Sequence, residues 1–202
     1  MNRSDITKEK ILAAAEEVFS EKGIAGARVD EIAELSSVNK RMIYVYFGSK
    51  EQLYENVLRR VYGSLADMEG GFDVSLPADE ALRKIILDSF RHLEQNPNFV
   101  SLVMRENLNR AKYVDTAGIV PIKSKSIVTV QKIIQRGIDE GIFREDVDIN
   151  EIVFAVNMYV FSYFSNIYTM PKLVEIDLSD KDKRRKRANM LADMIIGYLM
   201  KE

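Results

Sequence analysis

Apolar residues recur at helical spacing along nearly the whole chain, and this periodicity restricts the fold more than any other feature. One face of a first helix is marked by Ile11, Ala15, Val18 and Phe19. Residues three, four and seven apart lie on the same side of an α-helix, so this spacing indicates a helix with one buried face. No alternating β-branched run is long enough to build a sheet. The sequence therefore predicts an all-α protein of about nine helices.

Capping residues and helix breakers place the ends of these helices. Thr7 is the expected N-cap of the first helix and Gly23 its C-terminal stop. Two short helices are expected over 29–35 and 40–47, and a long fourth helix after Ser49. After a loop at 69–79, five further helices are expected over 79–95, 97–111, 121–140, 149–168 and 182–201. At their starts, Asn96 and Asp148 are the expected caps and Pro97 and Pro121 the expected first helical residues.

The length of the chain, 202 residues, is enough for one small and one larger domain. We predict a three-helix domain over residues 1–50 and a larger helical domain over 51–202. The chain has no cysteine, which excludes disulfides and thiolate metal sites and is compatible with the cytoplasm. The start of the chain has no apolar core before a cleavage site, so a secretory signal is not expected. Residues 152–170 carry no charge, but a polar stripe through them favours a buried or interface helix over a membrane span.

The segment "SSVNKRMIYVYFGSK", residues 36–50, places three cations and several aromatic rings together without an acid. It follows a short helix after a tight turn, which is the arrangement of a helix-turn-helix. Asn39 is suited to cap the second helix, whose N-terminus with Lys40 and Arg41 would attract phosphate. The formal net charge of the chain is −2, yet only this face has to be positive for DNA binding. Taken alone, three cations in fifteen residues are equally typical of an ordinary solvated surface.

The wider sequence resembles a known family. The runs "ILAAAEEVFSEKG" and "VDEIAELSSVNKRMIYVYFGSKEQLYENVL" are similar to the N-terminal domain of TetR-family transcriptional regulators. Within that family "KRMIYVYFGSKE" is most similar to a subgroup that includes pyrimidine-sensing regulators, which does not fix the ligand. The resemblance implies that Arg41 and Met42 face the bases. It also implies that the DNA backbone is contacted by Lys40, Tyr44, Tyr46 and Lys50.

The sequence departs from the family pattern at two places. Residues 27–29, Ala-Arg-Val, lack the hydroxyl side chains often found before the second helix, so an N-cap and a phosphate contact are missing. Arg28 is the candidate to replace that phosphate contact. Ser36 and Ser37 stand where Ala-Gly is common, so we expect Ser37 to adopt a left-handed conformation that glycine accepts more readily.

The resemblance also implies a homodimer with a four-helix interface made by the last two long helices of each subunit. The sequence supports this, because the helix over 149–168 is too apolar to face water and the last helix has a stripe of small and apolar residues. Ordinary core packing is the alternative for both helices. The expected interface residues are Ile152, Val156, Tyr159, Tyr163, Ala188, Leu191, Ala192, Ile195 and Leu199. Two helix-turn-helix units in a dimer imply a palindromic operator.

The sequence says less about an effector site. His92, the only histidine, is more often structural in such an apolar setting, and Asn107 is expected to face inward because a neutral amide is the least unfavourable group to bury. Asn157 either binds a ligand or pairs across the dimer, and the sequence does not distinguish the two. Phe161 and Tyr168 belong to an aromatic set that suits a flat or apolar ligand, although core packing explains that set equally well.

These features predict a ligand-responsive, DNA-binding repressor. A dimeric small-molecule-binding protein without specific DNA binding is the alternative. An enzyme is disfavoured, because one histidine cannot supply a di-iron bundle and no cysteine nucleophile or phosphate-binding glycine loop is present. We expect double-stranded DNA, a small-molecule effector of unknown identity and a second copy of the chain as partners, and no cofactor, metal or membrane.

Overall fold

A computed structural model describes residues 2–70 and 75–201, including all their side chains except those of 69, 70 and 123–126. Its helices are α1 Arg3–Gly26, α2 Val29–Ser36, α3 Lys40–Phe47, α4 Lys50–Gly70, α5 Ala78–Gln95, α6 Pro97–Leu108, α7 Ile119–Asp139, α8 Ile149–Ser165, α9 Met170–Val174 and α10 Lys181–Leu199. The described residues contain no β-strand, only one isolated bridge between Phe143 and Met200. The all-α prediction is confirmed, with the short α9 added to the nine helices expected.

The first helix begins earlier than its sequence predicted. Asn2 caps α1, accepting a hydrogen bond from the Asp5 backbone N–H while the Asp5 carboxylate accepts one from the Asn2 N–H. The Thr7 hydroxyl instead donates to the Arg3 carbonyl inside the helix, so the prediction of Thr7 as the cap is wrong. Gly23, the expected end of the helix, interrupts it with a φ of 68°, but α1 continues beyond it to Gly26.

Several later boundaries also differ from the predictions. Pro97 does begin α6, but the Asn96 amide donates back to the His92 carbonyl instead of capping it. Pro121 is the third residue of α7, not the first. Asp148 caps α8 as expected, accepting from the Asn150 and Glu151 N–H groups. The helices α6 and α8 each end three residues early, and α4 extends to Gly70, so part of the loop predicted over 69–79 is helical and 71–74 lie outside the described residues.

The chain forms two compact units. The first comprises Met1–Ser64 with Asn98–Ile122, and the second comprises Leu65–Pro97 with Lys123–Glu202. The helix α4 therefore contributes to both units, and α6 belongs with the first three helices. The core of the first unit includes Phe19, Ile32, Leu53, Tyr54 and Leu102, all fully buried.

The second unit is organised by α5, which packs against α8 and α10. Phe90 of α5 contacts the rings of Tyr159, Tyr163 and Phe164 of α8 at centroid distances of 5.4 to 6.5 Å. The buried Tyr163 hydroxyl donates to the Leu178 carbonyl at 2.9 Å. These rings fill the core of this unit. No described helix is long and apolar enough to cross a membrane.

Candidate nucleic-acid interface

The turn between α2 and α3 is fixed by local hydrogen bonds. Ser37 has φ 55° and ψ 32°, the left-handed conformation expected from the sequence, and its N–H donates to the carbonyls of Ala33 and Glu34. The Asn39 side chain caps α3 by accepting from the Arg41 N–H at 2.8 Å. The orientation of α3 is therefore determined at its first residue.

The start of α2 has no side-chain cap, but a carboxylate within the helix bonds the residue before it. The Glu31 carboxylate accepts a hydrogen bond from the Arg28 backbone N–H at 3.4 Å. It also forms an ion pair with the Lys22 ammonium at 2.9 Å. The bond to Lys22, the largest contribution, together with the Arg28 N–H lowers the pKa of Glu31. This bond is the reciprocal half of a capping box, and the side chain of Arg28 does not cap the N–H groups at the start of α2.

One face of α3 is anchored in the core and the other faces outward. Ile43 and Phe47 are buried beneath the helix. Arg41 and Met42 are exposed, and Val45, one turn further, is 65% exposed. An exposed valine at this position can contact the methyl group of thymine. Val45 was not predicted from the sequence, although its position four residues after Arg41 indicated the same face.

The aromatic and basic groups around α3 have different surroundings. The Tyr44 side chain is exposed, whereas Tyr46 is half-buried with the Lys8 ammonium 5.6 Å from its ring centroid. Lys50 Nζ donates to the Ala27 carbonyl at 3.3 Å, so it holds the segment before α2 as well as adding charge. Lys40 is paired with Asp30. Among the described contacts, the Arg41 guanidinium has no hydrogen bond or ion pair and is available to a ligand.

This surface is supported by α6 within the same unit. Arg105 Nε donates to the Ser20 carbonyl at 2.9 Å, and its Nη2 bonds the Glu21 carbonyl. These carbonyls lie where α1 is interrupted at Gly23, so the guanidinium satisfies acceptors that the helix leaves free. A Cβ at Gly23 would stand 3.1 Å from Arg105 Nη1, which together with the positive φ explains the glycine.

A buried carboxylate also connects α4, α6 and the segment after α6. Glu106 is only 2% exposed. Its Oε1 accepts from the Tyr54 hydroxyl at 2.9 Å and its Oε2 from the Tyr113 N–H at 3.0 Å. Burial, followed by the charge of Glu106, raises the pKa of Tyr54 and raises that of Tyr62 to about 12. Asn107, predicted to face inward, is exposed and donates to the Val103 carbonyl, so that prediction is wrong.

The structure does not bring the other predicted effector residues into one site. Tyr168 is 83% exposed and lies outside the core. Asn157 donates to the Val153 carbonyl of its own helix at 2.8 Å, so one of its N–H groups is bonded within α8. His92 is buried and Phe161 is half-buried. Among the described residues no cluster of metal-ligating side chains is present.

The residues predicted for the dimer interface are mostly covered by their own chain. Tyr159 and Ile195 are half-buried. The others are buried in the second unit: Ile152, Val156, Tyr163, Ala188, Leu191, Ala192 and Leu199. The same two helices expose a different apolar set, formed by Phe154 and Met158 on α8 and by Met190, Met194 and Tyr198 on α10. Their spacing of four residues makes one continuous stripe on each helix.

The fold and this surface define an all-α protein with an N-terminal helix-turn-helix. Residues 11–57 match the family model for bacterial regulatory proteins of the tetR family, and residues 79–195 match that for the tetracyclin repressor-like C-terminal domain. The chain belongs to the TetR family of transcriptional regulators. The prediction made from the N-terminal motifs is confirmed.

Individual relatives agree with this assignment. The HTH-type transcriptional repressor NicS of Pseudomonas putida is 30% identical over 199 residues, covering 98% of this chain and 94% of NicS. The regulator RutR of Escherichia coli is 48% identical over 54 residues, only 27% of this chain and 26% of RutR. The solved structure of the TetR family regulator PfmR from Thermus thermophilus has a TM-score of 0.73 at 22% identity, over 95% of this chain and 99% of that chain, which shows the shared fold.

Proposed function

We propose that the protein is a cytoplasmic repressor that binds a palindromic operator as a homodimer and is modulated by a small molecule. The observation that carries the proposal is the outward face of α3. Arg41, Met42 and Val45 project from a helix whose other side is anchored by Ile43 and Phe47. A short helix presented in this way fits the major groove, where an arginine can form two hydrogen bonds to guanine.

Phosphate contacts on both sides of α3 complete the proposed interface. Asn39 and Lys40 lie at the N-terminus of the helix, Tyr44 on its exposed side, and Arg28 and Lys50 flank it. Helix N-termini, lysines and hydroxyls are the groups that commonly bind DNA phosphates. Tyr46 lies beneath Lys8, so we expect Tyr46 to position that ammonium as well as to contact the backbone itself.

The exposed stripes of α8 and α10 are the proposed dimer interface. Phe154, Met158, Met190, Met194 and Tyr198 would be buried in a four-helix arrangement with their equivalents from a second copy. Their large apolar side chains in water are otherwise unexplained. This assignment uses the two helices predicted from the sequence but shifts the contact to the faces that remain open.

Effector binding is assigned to the larger domain, residues 51–202. The helix α4 runs continuously from the first unit into the second. A ligand that favours one arrangement of α4 would therefore favour one spacing of the two recognition helices, the α3 helices of the two subunits. We expect no catalytic activity. A dimeric binding protein without specific DNA binding remains the competing function, and the exposed Arg41, Met42 and Val45 argue against it.

The Arg41→Ala variant tests the DNA-binding proposal. On a labelled fragment from upstream of the protein's own gene, we expect Arg41→Ala to weaken specific binding by about 10- to 100-fold for each half-site, which is the typical effect of losing one bidentate guanine contact. Random DNA should be affected far less. Fluorescence anisotropy across a salt series measures both, and wild-type affinity should fall steeply with salt, with a slope of about −0.9 per phosphate contact.

The matched control is Arg185→Ala, which removes the same charge from an exposed position on α10. Its DNA affinity should remain at the wild-type value. If Arg41→Ala weakens specific and random binding equally, then Arg41 contacts only phosphates and the assignment of the base-reading face is wrong. If the wild type prefers no fragment in a search of the whole genome, the competing function gains support.

A further inference from the structure

Lys40, the cation at the start of α3, already forms an ion pair within the protein. Lys40 Nζ lies 2.9 Å from the Asp30 carboxylate and donates a hydrogen bond to it. Both side chains are accessible, at 47% and 70% exposure. Lys40 is the first residue of α3 and Asp30 lies in the first turn of α2, so the pair joins the two helices of the helix-turn-helix.

The ion pair between Asp30 and Lys40 contributes little to the stability of the fold. Exposed ion pairs contribute little to folding because water and salt screen them. An acid in the first turn does favour α2 through the helix dipole, but Glu31 already supplies a carboxylate there and is itself engaged by Lys22 and the Arg28 N–H. Asp30 is therefore a second acid in that turn, directed at a cation of the proposed DNA surface.

Resting on the proposed function, we propose that Asp30 competes with DNA phosphates for Lys40 and thereby limits the affinity of the protein for DNA of any sequence. When Lys40 contacts a phosphate, the bond to Asp30 is lost or shared. The carboxylate then faces the negatively charged backbone. The energy of this exchange is the same at an operator and at random DNA, because neither group reads a base.

The transfer of Lys40 from Asp30 to a phosphate should change how DNA affinity depends on salt. A lysine that reaches a phosphate releases a counterion from DNA, which steepens the dependence of affinity on salt. An Asp30 left without Lys40 takes up a cation, which offsets part of that release. Removing the carboxylate should therefore strengthen binding and also make the salt dependence steeper. If Lys40 reaches no phosphate even after the carboxylate is removed, the salt dependence should not steepen.

The test compares Asp30→Asn with Glu34→Gln in the full-length protein. Glu34 is exposed one helical turn further along α2 and has no described ion pair, so its variant removes the same charge without freeing Lys40. At low salt we expect Asp30→Asn to bind both the upstream fragment and random DNA about two- to fivefold more tightly for each bound subunit, the range for an exposed ion pair. The salt slope should steepen by up to about 0.9 for each bound subunit. Glu34→Gln should change affinity less.

Lys40→Ala separates competition from general repulsion. In a Lys40→Ala background, Asp30→Asn should no longer strengthen binding. Persistence of the full effect there would refute the role of Lys40, and weaker binding by Asp30→Asn alone would show that Asp30 positions Lys40 instead. Thermal unfolding of each variant identifies any loss of α2. Unchanged binding of Asp30→Asn to random DNA refutes only this proposal, whereas failure of the wild type to bind any DNA refutes the proposed function as well.

Discussion

The double variant Phe154→Glu/Met194→Glu is expected to be a monomer that no longer binds the operator tightly. Each residue is 59% exposed in the single chain and lies in the apolar stripe of α8 or α10. In a dimer built on these stripes, each glutamate would be buried without a cation, which is strongly unfavourable. Because the substituted positions face water in the subunit, its own stability should change little.

The effect on DNA binding should greatly exceed the effect of any single contact. A dimer gains from binding two half-sites together, and losing that linkage typically lowers affinity by about 10²- to 10⁴-fold. Sedimentation equilibrium measures the state of assembly, and anisotropy with whole and half operators measures the affinity. We expect the variant to bind the whole operator no more tightly than a half-site.

Leu173→Glu provides the matched control. Leu173 on α9 is even more exposed than Phe154 or Met194, so the variant places one glutamate at an apolar surface position outside the two stripes. It should remain dimeric and bind the operator normally. A double variant that stays dimeric would show that a different surface forms the interface.

The difference between the predicted and the proposed interface shows what helical periodicity can resolve. The small and apolar residues of the last helix, including Ala188 and Ala192, were assigned to a partner helix, but they pack inside the same subunit. A core face and a dimer face are both apolar, and α10 has one buried and one exposed apolar face. The sequence identified one apolar stripe on this helix without saying which neighbour covers it.

The local geometry of the helix-turn-helix was more predictable. The Asn39 cap and the left-handed Ser37 follow from residue chemistry over a few positions, and both are present. The ion pair between Lys40 and Asp30 depends on how two helices meet across a turn, which no local rule specifies. The same applies to Arg105, which bonds the carbonyls of Ser20 and Glu21 on α1. These residues precede it in the sequence by 85 and 84 positions. The functional division at residue 50 stays a prediction.

The burial of Glu106 also depends on contacts between residues that are far apart in the sequence. The segment "RENL" on α6 offered three adjacent polar residues, and the neutral Asn107 was expected to be the buried one. The structure buries the charged Glu106 because Tyr54 and the Tyr113 N–H supply both of its oxygens with donors. From the cost of losing water alone, the neutral Asn107 should be buried before Glu106. Hydrogen bonds from residues elsewhere in the sequence reverse this preference.

Replacing Glu106 with alanine is expected to destabilise the protein by about 2–5 kcal/mol, since it leaves the buried Tyr54 hydroxyl without its acceptor and opens a cavity. Urea unfolding followed by circular dichroism measures the loss. Glu106→Gln should lose much less, because its oxygen can accept from the Tyr113 N–H while its amide donates to the Tyr54 oxygen. Asn107→Ala, at the exposed neighbouring position, should leave the free energy of unfolding within about 0.5 kcal/mol of the wild type.

The three variants together separate the role of the hydrogen bonds from that of the charge. If glutamine retains stability, a hydrogen bond to each of the two partners is sufficient whichever group donates, and the carboxylate charge has no structural role. If glutamine is as damaging as alanine, the charge itself is required to hold α4, α6 and the segment after α6 together. DNA affinity should follow stability in either case, since Glu106 lies in the same unit as α3. A stable Glu106→Ala protein would show that the two hydrogen bonds contribute little and that packing alone holds α6 in this unit.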